Sequence, residues 1–332
     1  MADKTEIEWT DATWNPITGC SVVSPGCKHC YAMRIAGGRL KNHPSRRDLT
    51  RPTAAGPVWN GEVRWNEKWL PAPLKWKEPK RIFVCAHGDL FHESVPLEWI
   101  DRVHAVMGLA PHHVFQILTK RSGRMMRYYN DSDMWQAVHD MSHAVMIRYG
   151  RHYSGPKWLP LLTFMPLDNV WLGVSVEDND RVERIYHLKA TPAALRFVSF
   201  EPLLEDISPL DLRRLDWVIA GGESGPRARR MDPDWVRAIR DHCRDKEAAF
   251  FFKQWGGPRP KSAGRLLDGV LHDSIPERAD KGRWRIPLQS GDRAFRILHP
   301  SHHPPHTYWC PHRRYTEPWI MRPRLHRMPW EH

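Results

Sequence analysis

The sequence predicts an α/β fold, a partial or full (β/α) barrel with an irregular basic extension at its C-terminus. Three observations predict this class: short apolar runs alternate with segments of helical spacing, nearly every run ends in polar residues, and the alternation continues over most of the chain. Strands and helices that alternate in this way build a parallel sheet with helices packed against it.

Six apolar runs have the length and composition of buried strands. They cover residues 81–86, 114–119, 170–176, 195–200, 217–220 and 249–252. Two intervening stripes have helical spacing and comprise Leu97, Ile100, Val103 and Met107, and Trp235, Ile239 and Cys243. A doubly wound open sheet would have the same linear pattern, so periodicity alone leaves both architectures open.

Polar residues follow nearly every predicted strand. They include Asp89, which follows Gly88, and Lys120, Arg121, Glu177, Glu201 and Glu223. Because the carboxyl ends of parallel strands meet at one edge of a sheet, the sequence predicts a single shared site there.

The composition limits the class of protein. Of the 332 residues, 41% are hydrophobic and 27% are charged, and no run approaches the roughly 20 apolar residues that span a bilayer. The acidic N-terminus lacks the apolar region of a secretory signal, so a reducing cytoplasm is expected. A formal net charge of +12 favours a polyanionic partner such as nucleic acid.

Three of the six cysteines, Cys20, Cys27 and Cys30, crowd into one loop and predict a metal centre. A [4Fe-4S] cluster bound by only three thiolates keeps one iron open for an external ligand. The alternative is a structural zinc site, which needs four ligands and would be completed by a distant residue such as Cys85 or a histidine of the C-terminal tail.

The cysteine loop, with Tyr31 directly after its third cysteine and a series of βα units behind it, resembles the radical-SAM superfamily. The chain more narrowly resembles an uncharacterised phage and bacterial family known only as a phage protein, with a C-x6-C-x2-C loop, and is distantly similar to spore photoproduct lyase-like proteins. The resemblance covers roughly residues 5–276. Its ordered motifs are WTDATWNPITGC at 9–20, GDLFH at 88–92, LTKR at 118–121, GVSVE at 173–177, SFEPL at 199–203, GGESG at 221–225 and FKQWG at 252–256. The superfamily usually has three residues between its first two cysteines, whereas six separate Cys20 from Cys27.

The resemblance implies a [4Fe-4S] cluster on the three cysteines and S-adenosylmethionine at the open iron, where one electron releases a 5'-deoxyadenosyl radical. Carried over by motif, Gly88 and Asp89 would contact the methionyl amine, and Ser175, Glu177 and Glu201 would hold the ribose. Lys120, Glu223 and Lys253 are then the candidate catalytic residues, with Arg121 and Gln254 as further substrate contacts. For any one strand-end carboxylate, the ordinary alternative is a cap on the next helix.

The leading functional hypothesis is a radical-SAM enzyme that modifies or repairs a nucleic-acid base or nucleotide with an external electron donor, either alone or with a partner protein. One alternative is a non-catalytic, zinc-stabilised protein that binds nucleic acid or docks a partner. Another is radical chemistry on a peptide or small metabolite. In each case residues 1–276 are expected to form the barrel domain, with an insertion at about 40–80, and residues 277–332 a Pro/His/Arg-rich extension.

Overall fold

Seven parallel strands form the central sheet in a computed structural model that describes residues 4–150, 166–207, 210–259, 261–278, 284–287 and 295–298. They are β1 (Ala12–Trp14), β2 (Arg81–Val84), β3 (Val114–Thr119), β4 (Val170–Ser175), β5 (Leu195–Phe200), β6 (Trp217–Gly221) and β7 (Ala249–Gln254). Their spatial order is their order along the chain, and neighbours pair in parallel throughout.

This strand order decides between the two architectures that the sequence left open. A doubly wound sheet reverses its order at a switch point, whereas these seven strands run from β1 to β7 without a reversal. Within the described residues, β1 and β7 do not pair with each other, so the sheet is a curled half-barrel. The predicted α/β class and all six predicted strands are confirmed, and in the part of the chain that the structure describes the sheet does not close into a barrel.

Helices connect the strands. The described residues include α1 (Tyr31–Gly37), α2 (Ala72–Lys75), α3 (Leu97–Leu109), α4 (Ser122–Tyr129), α5 (Met134–Tyr149), α6 (Glu183–Lys189) and α7 (Pro233–Asp245). The α7 helix begins where Asp232 accepts a hydrogen bond from the backbone N–H of Asp234, with Pro233 in the first turn. Both predicted stripes are helical, but Leu97 is 52% exposed.

Alternation along the strands gives the sheet two apolar faces. One face packs with the helices in the larger core. The other face is filled by aromatic rings: the ring centroids of Trp171 and Trp217 are 5.8 Å apart, and those of Phe197 and Trp217 are 5.3 Å apart. Trp284, from a short strand after the sheet, packs 4.9 Å from Trp171. This aromatic floor consists of Trp171, Phe197, Trp217, Phe251 and Trp284.

Shorter strands lie outside the central sheet. Ile17–Thr18 pairs with Arg64–Trp65, and Thr50–Thr53 with Gly56–Trp59, so the predicted insertion has structure of its own. The later pieces are Leu266–Leu267, Val270–Leu271, Glu277–Arg278, Trp284–Pro287 and Phe295–Leu298. Residues 299–332, which include the tail histidines and Cys310, lie outside the described residues. Among the described residues, no helix combines the length and apolar character needed to cross a membrane.

Candidate functional site

The cysteine loop lies over the carboxyl edge of the sheet. It joins the strand Ile17–Thr18 to α1, and the backbone N–H of Gly19 donates to the carbonyl of His87 at 3.1 Å. A Cβ atom on Gly88 would lie 3.1 Å from the carbonyl oxygens of both Gly19 and Ile17. Glycine at position 88 therefore lets the loop after β2 approach the cysteine loop closely, which is a positioning role beside any contact with a cofactor.

Polar side chains lie within hydrogen-bonding distance of two of the cysteine sulfurs. Cys20 Sγ accepts a hydrogen bond from Arg121 Nη1 at 3.3 Å, and the same guanidinium donates from Nη2 to Ser21 Oγ at 2.6 Å. Cys27 Sγ lies 3.7 Å from Ser24 Oγ. The loop thus brings a cation to one thiol and a hydroxyl to another.

The third sulfur, that of Cys30, is met from α1 and from the insertion. Burial raises the pKa of Cys30, and the nearby backbone N–H groups of Met33 and Ala32 and the side chain of Trp59 oppose that shift. All three sulfurs therefore have an N–H or O–H group nearby, as metal-bound thiolates commonly do.

Burial disfavours ionisation of two loop thiols, those of Cys20 and Cys30. It raises the pKa of Cys20 to about 12, against the opposing effect of Arg121, and it also raises the pKa of Cys30. In the described part of the chain, no three His, Cys, Asp or Glu side chains are arranged to hold one metal ion. Cys85, one proposed ligand of the zinc alternative, is buried and belongs to no such group.

Asp89 is buried and surrounded by donors. Its Oδ1 accepts from Thr119 Oγ1 at 2.7 Å and from the backbone N–H of Phe91 at 3.0 Å. Its Oδ2 accepts from the backbone N–H of Lys120 at 3.1 Å and from Arg121 Nη1 at 3.2 Å. The carboxylate therefore holds Arg121 against the cysteine loop, and a ligand ammonium would have to displace one of these donors.

Glu177 has no exposed surface and lies between two cations and the cysteine loop. Its Oε2 is 2.9 Å from Arg184 Nη1, its Oε1 is 3.4 Å from Lys120 Nζ, and Ser24 Oγ also donates to it. Burial alone would raise the pKa of Glu177, but Lys120 and Arg184 hold it below its ordinary value. A Cβ atom on Gly26 would lie 2.6 Å from Glu177 Oε1. This carboxylate therefore holds the cysteine loop against the end of β4.

A second carboxylate, Glu223, supports the loop from the side. It accepts from Arg229 Nη2 at 2.6 Å and Nε at 2.9 Å, and Arg229 Nη2 also donates to the carbonyl of Pro25 at 2.9 Å. Burial opposes ionisation, but Arg229 lowers the pKa of Glu223. The candidate catalytic role of Glu223 is thus accompanied by a structural one.

Glu201 and Lys253 form the more accessible pair at this edge. Lys253 Nζ lies 2.5 Å from Glu201 Oε1, and each side chain is 22% exposed. Both flank Gly221, where a Cβ atom would meet Lys253 Cβ at 3.3 Å and Glu201 Cδ at 3.7 Å. Ser175, the last residue of β4, is nearly buried and pairs with Ser199 of β5 just inside the edge.

The side chain of Gln254, the remaining predicted substrate contact, hydrogen-bonds to backbone groups of the protein itself. Its Oε1 accepts from the backbone N–H of Lys261 at 3.0 Å, and its side-chain amide faces the carbonyl of Gly222 at 3.4 Å. The structure therefore brings all the predicted residues to one edge, but places Gln254 in a supporting position.

Arg46 is a buried cation that sequence reasoning missed. It is 3% exposed; Nη1 donates to Ser45 Oγ at 2.6 Å, and Nε donates to His87 Nδ1 at 3.4 Å. Burial, together with Arg46, lowers the pKa of His87 to about 3, and burial lowers that of Arg46 to about 10. Within the described residues no carboxylate forms an ion pair with Arg46. The guanidinium carbon of Arg46 lies 5.5 Å from the centre of the Trp69 ring. A buried guanidinium without a carboxylate partner is still costly, and an anionic group of a ligand would offset that cost.

The sequence carried little signal for the other supporting residues, Ser24, Trp59, Arg184 and Arg229. Trp59 and Arg46 lie in the aperiodic insertion, and the arginines pair with carboxylates only after folding. Only Ser24, inside the cysteine loop, could have been suspected from its place between Cys20 and Cys27.

The sequence profile of the family described as "Protein of unknown function (DUF5131)" matches residues 4–276. The chain belongs to the DUF5131 family. The matched region of this DUF5131 protein contains all seven strands of the sheet and every candidate site residue. No curated protein and no solved structure matches the chain.

Proposed function

We propose that this DUF5131 protein is a radical-SAM enzyme that holds a [4Fe-4S] cluster through Cys20, Cys27 and Cys30 and acts on a nucleic-acid base or nucleotide. The observation that carries the proposal is the loop of three cysteines at the carboxyl edge of a parallel half-barrel, with Arg121 donating to the sulfur of Cys20 and the hydroxyl of Ser24 3.7 Å from the sulfur of Cys27. Donors to ligating sulfurs adjust the potential of iron-sulfur clusters.

The residues present fit such a cluster. Each thiolate would bind a different iron, so the sulfurs need not meet at one point. Arg121 offers positive charge to a centre that three thiolates make more negative. When bound, the cluster and S-adenosylmethionine supply cleavage of the sulfonium to methionine and a 5'-deoxyadenosyl radical, with one electron from an external donor.

The chain's own residues would position these groups. Glu177 and Glu223, each held by arginine, fix the cysteine loop over the sheet. Arg46 would bind a carboxylate, the group that S-adenosylmethionine carries beside its amine. These contacts would orient the cluster and S-adenosylmethionine, and orienting such cofactors is what the protein contributes to catalysis.

Lys253 and Glu201 are the residues we assign to the substrate. Their ion pair is partly exposed and lies at the carboxyl edge of the sheet, after β5 and near the end of β7. Lys253 can donate a hydrogen bond to a carbonyl of a base, with Glu201 holding its Nζ in place. The net charge of +12 supports a polyanionic substrate over a neutral one.

Two cysteine variants of similar burial test the cluster. After anaerobic reconstitution, the wild-type protein and Cys243→Ala should bind about four iron per chain and form 5'-deoxyadenosine with dithionite and S-adenosylmethionine. Cys27→Ala should lose both properties, because Cys243 is a helix residue of the core whereas Cys27 lies in the loop.

The outcomes separate the alternatives. Turnover that persists in Cys27→Ala would remove the cluster assignment, and a colourless protein with one zinc would favour the non-catalytic alternative. Mass spectrometry of products from deuterated nucleosides then identifies the substrate. Deuterium that never reaches 5'-deoxyadenosine would favour a peptide or small metabolite.

A further inference from the structure

A cavity of about 460 Å³ opens beside the candidate site, between α4, α6 and the cysteine loop. Two glutamates, Glu93 and Glu183, contribute to its walls. Six lining residues are cationic: Lys120, Arg121, Arg124, Arg127, Arg181 and Arg184.

Carboxylates compensate only part of this charge. Arg121 pairs with Asp89, and Lys120 and Arg184 share Glu177. Those three cations therefore belong to the support of the cysteine loop.

Arg124 and Arg127 are different. Arg124 donates to the backbone carbonyls of His92 and Val95, which leaves its charge without an ion-pair partner in the described residues. Arg127 is exposed, and its side chain has no hydrogen bond or ion pair within the described part of the chain. A Cβ atom on Gly123 would lie 3.6 Å from both Arg127 Nη1 and His187 Cε1, so these two side chains converge at the start of α4.

We propose that this basic cavity binds backbone phosphates of a nucleic-acid strand and so presents one of its bases to the neighbouring site. Guanidinium groups match phosphate oxygens in charge and in fork geometry. Lys120 connects the two regions, because it lines the cavity and lies 3.4 Å from Glu177. The assignment rests on the proposed nucleic-acid substrate and adds how the strand is held.

Binding of a fluorescent single-stranded 12-mer, measured by anisotropy at several salt concentrations, tests the cavity. Arg127→Gln should weaken binding about fivefold at 0.1 M salt, because one phosphate contact to a single strand contributes a slope of about 0.7 in log K against log salt. Arg181→Gln, which removes a cation only weakly paired with Asp180 at 3.5 Å, should act in the same direction. Arg244→Gln is the matched control: Arg244 is an exposed arginine of α7 that does not line the cavity.

The result that overturns the assignment is unchanged affinity and slope in Arg127→Gln and Arg181→Gln, or an equal loss in Arg244→Gln. A strand that fails to bind the wild-type protein overturns it as well. Displacement of the strand by a nucleoside monophosphate at equal phosphate concentration would assign the cavity to a free nucleotide instead. Because the assay contains neither S-adenosylmethionine nor reductant, it can fail while 5'-deoxyadenosine formation persists, and the reverse also holds.

Discussion

Replacing Glu177 with glutamine tests whether the candidate site depends on this one buried charge. The side chain keeps its size, and an amide oxygen can still accept from Ser24. What disappears is the negative charge between Arg184 and Lys120, whose side chains are 5% and 17% exposed, together with one acceptor, because the amide NH2 group then faces a donor. The substitution therefore isolates electrostatics from packing.

The expected loss follows from that burial. Removing one partner of a buried ion pair costs about 3–5 kcal/mol, because the remaining charge is left uncompensated. Lys120 can turn toward solvent, whereas Arg184 is fixed by a further bond to the carbonyl of Ser175 at 2.8 Å. We therefore expect the free energy of unfolding to fall by about 3 kcal/mol, at the lower end of that range.

Two measurements check this expectation. Urea unfolding should give the lower free energy for Glu177→Gln, while Glu183→Gln, an exposed carboxylate of α6, should stay within about 0.5 kcal/mol of wild type. Alkylation of the metal-free protein should reach Cys27 faster in Glu177→Gln, with Cys243 unchanged. Equal stability and equal alkylation in the two glutamate variants would refute the argument that Glu177 supports the loop.

Two further predictions concern stability. Burial raises the pKa of Asp101 to about 6 from 3.8, against the hydrogen bond from Tyr128, so its contribution is fully present below pH 3.8 and is lost as pH rises through 6. As pH rises from 4 to 7.5, the free energy of unfolding of the wild type should therefore fall by about 2 kcal/mol relative to that of Asp101→Asn, a figure reduced for the partial exposure of Asp101. Parallel curves of unfolding free energy against pH for the two proteins would contradict this. Gly173→Ala would place a Cβ atom 2.3 Å from the ring of Phe197 and should cost about 2 kcal/mol by overpacking. The loss should shrink in a Phe197→Leu background, and an equal loss in both backgrounds would argue against that contact.

The strands were predictable because each combines an apolar run with a polar end. The first strand was not, since Ala12–Trp14 has only three residues and gives no periodic signal. The spatial order of the strands could not be predicted either, because barrels and doubly wound sheets share one linear pattern of strands and helices.

The sequence predicted where the site lies, at the carboxyl edge of the sheet, but not which side chains pair with one another there. Strand ends and cysteines indicated where polar groups would meet, and the structure brings them there. The partners of those groups, such as Arg184 for Glu177 and Arg229 for Glu223, depend on helix packing and loop closure that no local pattern encodes. Arg46 comes from an aperiodic segment, so its burial beside His87 could be found only in three dimensions.

The aromatic floor makes the proposed reaction chamber shallow. The rings of Trp171, Phe197 and Trp217 fill the inside of the half-barrel next to the polar carboxyl edge. A target atom therefore cannot enter the half-barrel and has to reach the site from the solvent side of that edge. A base inside a duplex is shielded by stacking on both sides, and enzymes that modify such bases rotate the nucleotide out of the helix. Unpaired strands, bulges and frayed ends would then be better substrates than an intact double helix.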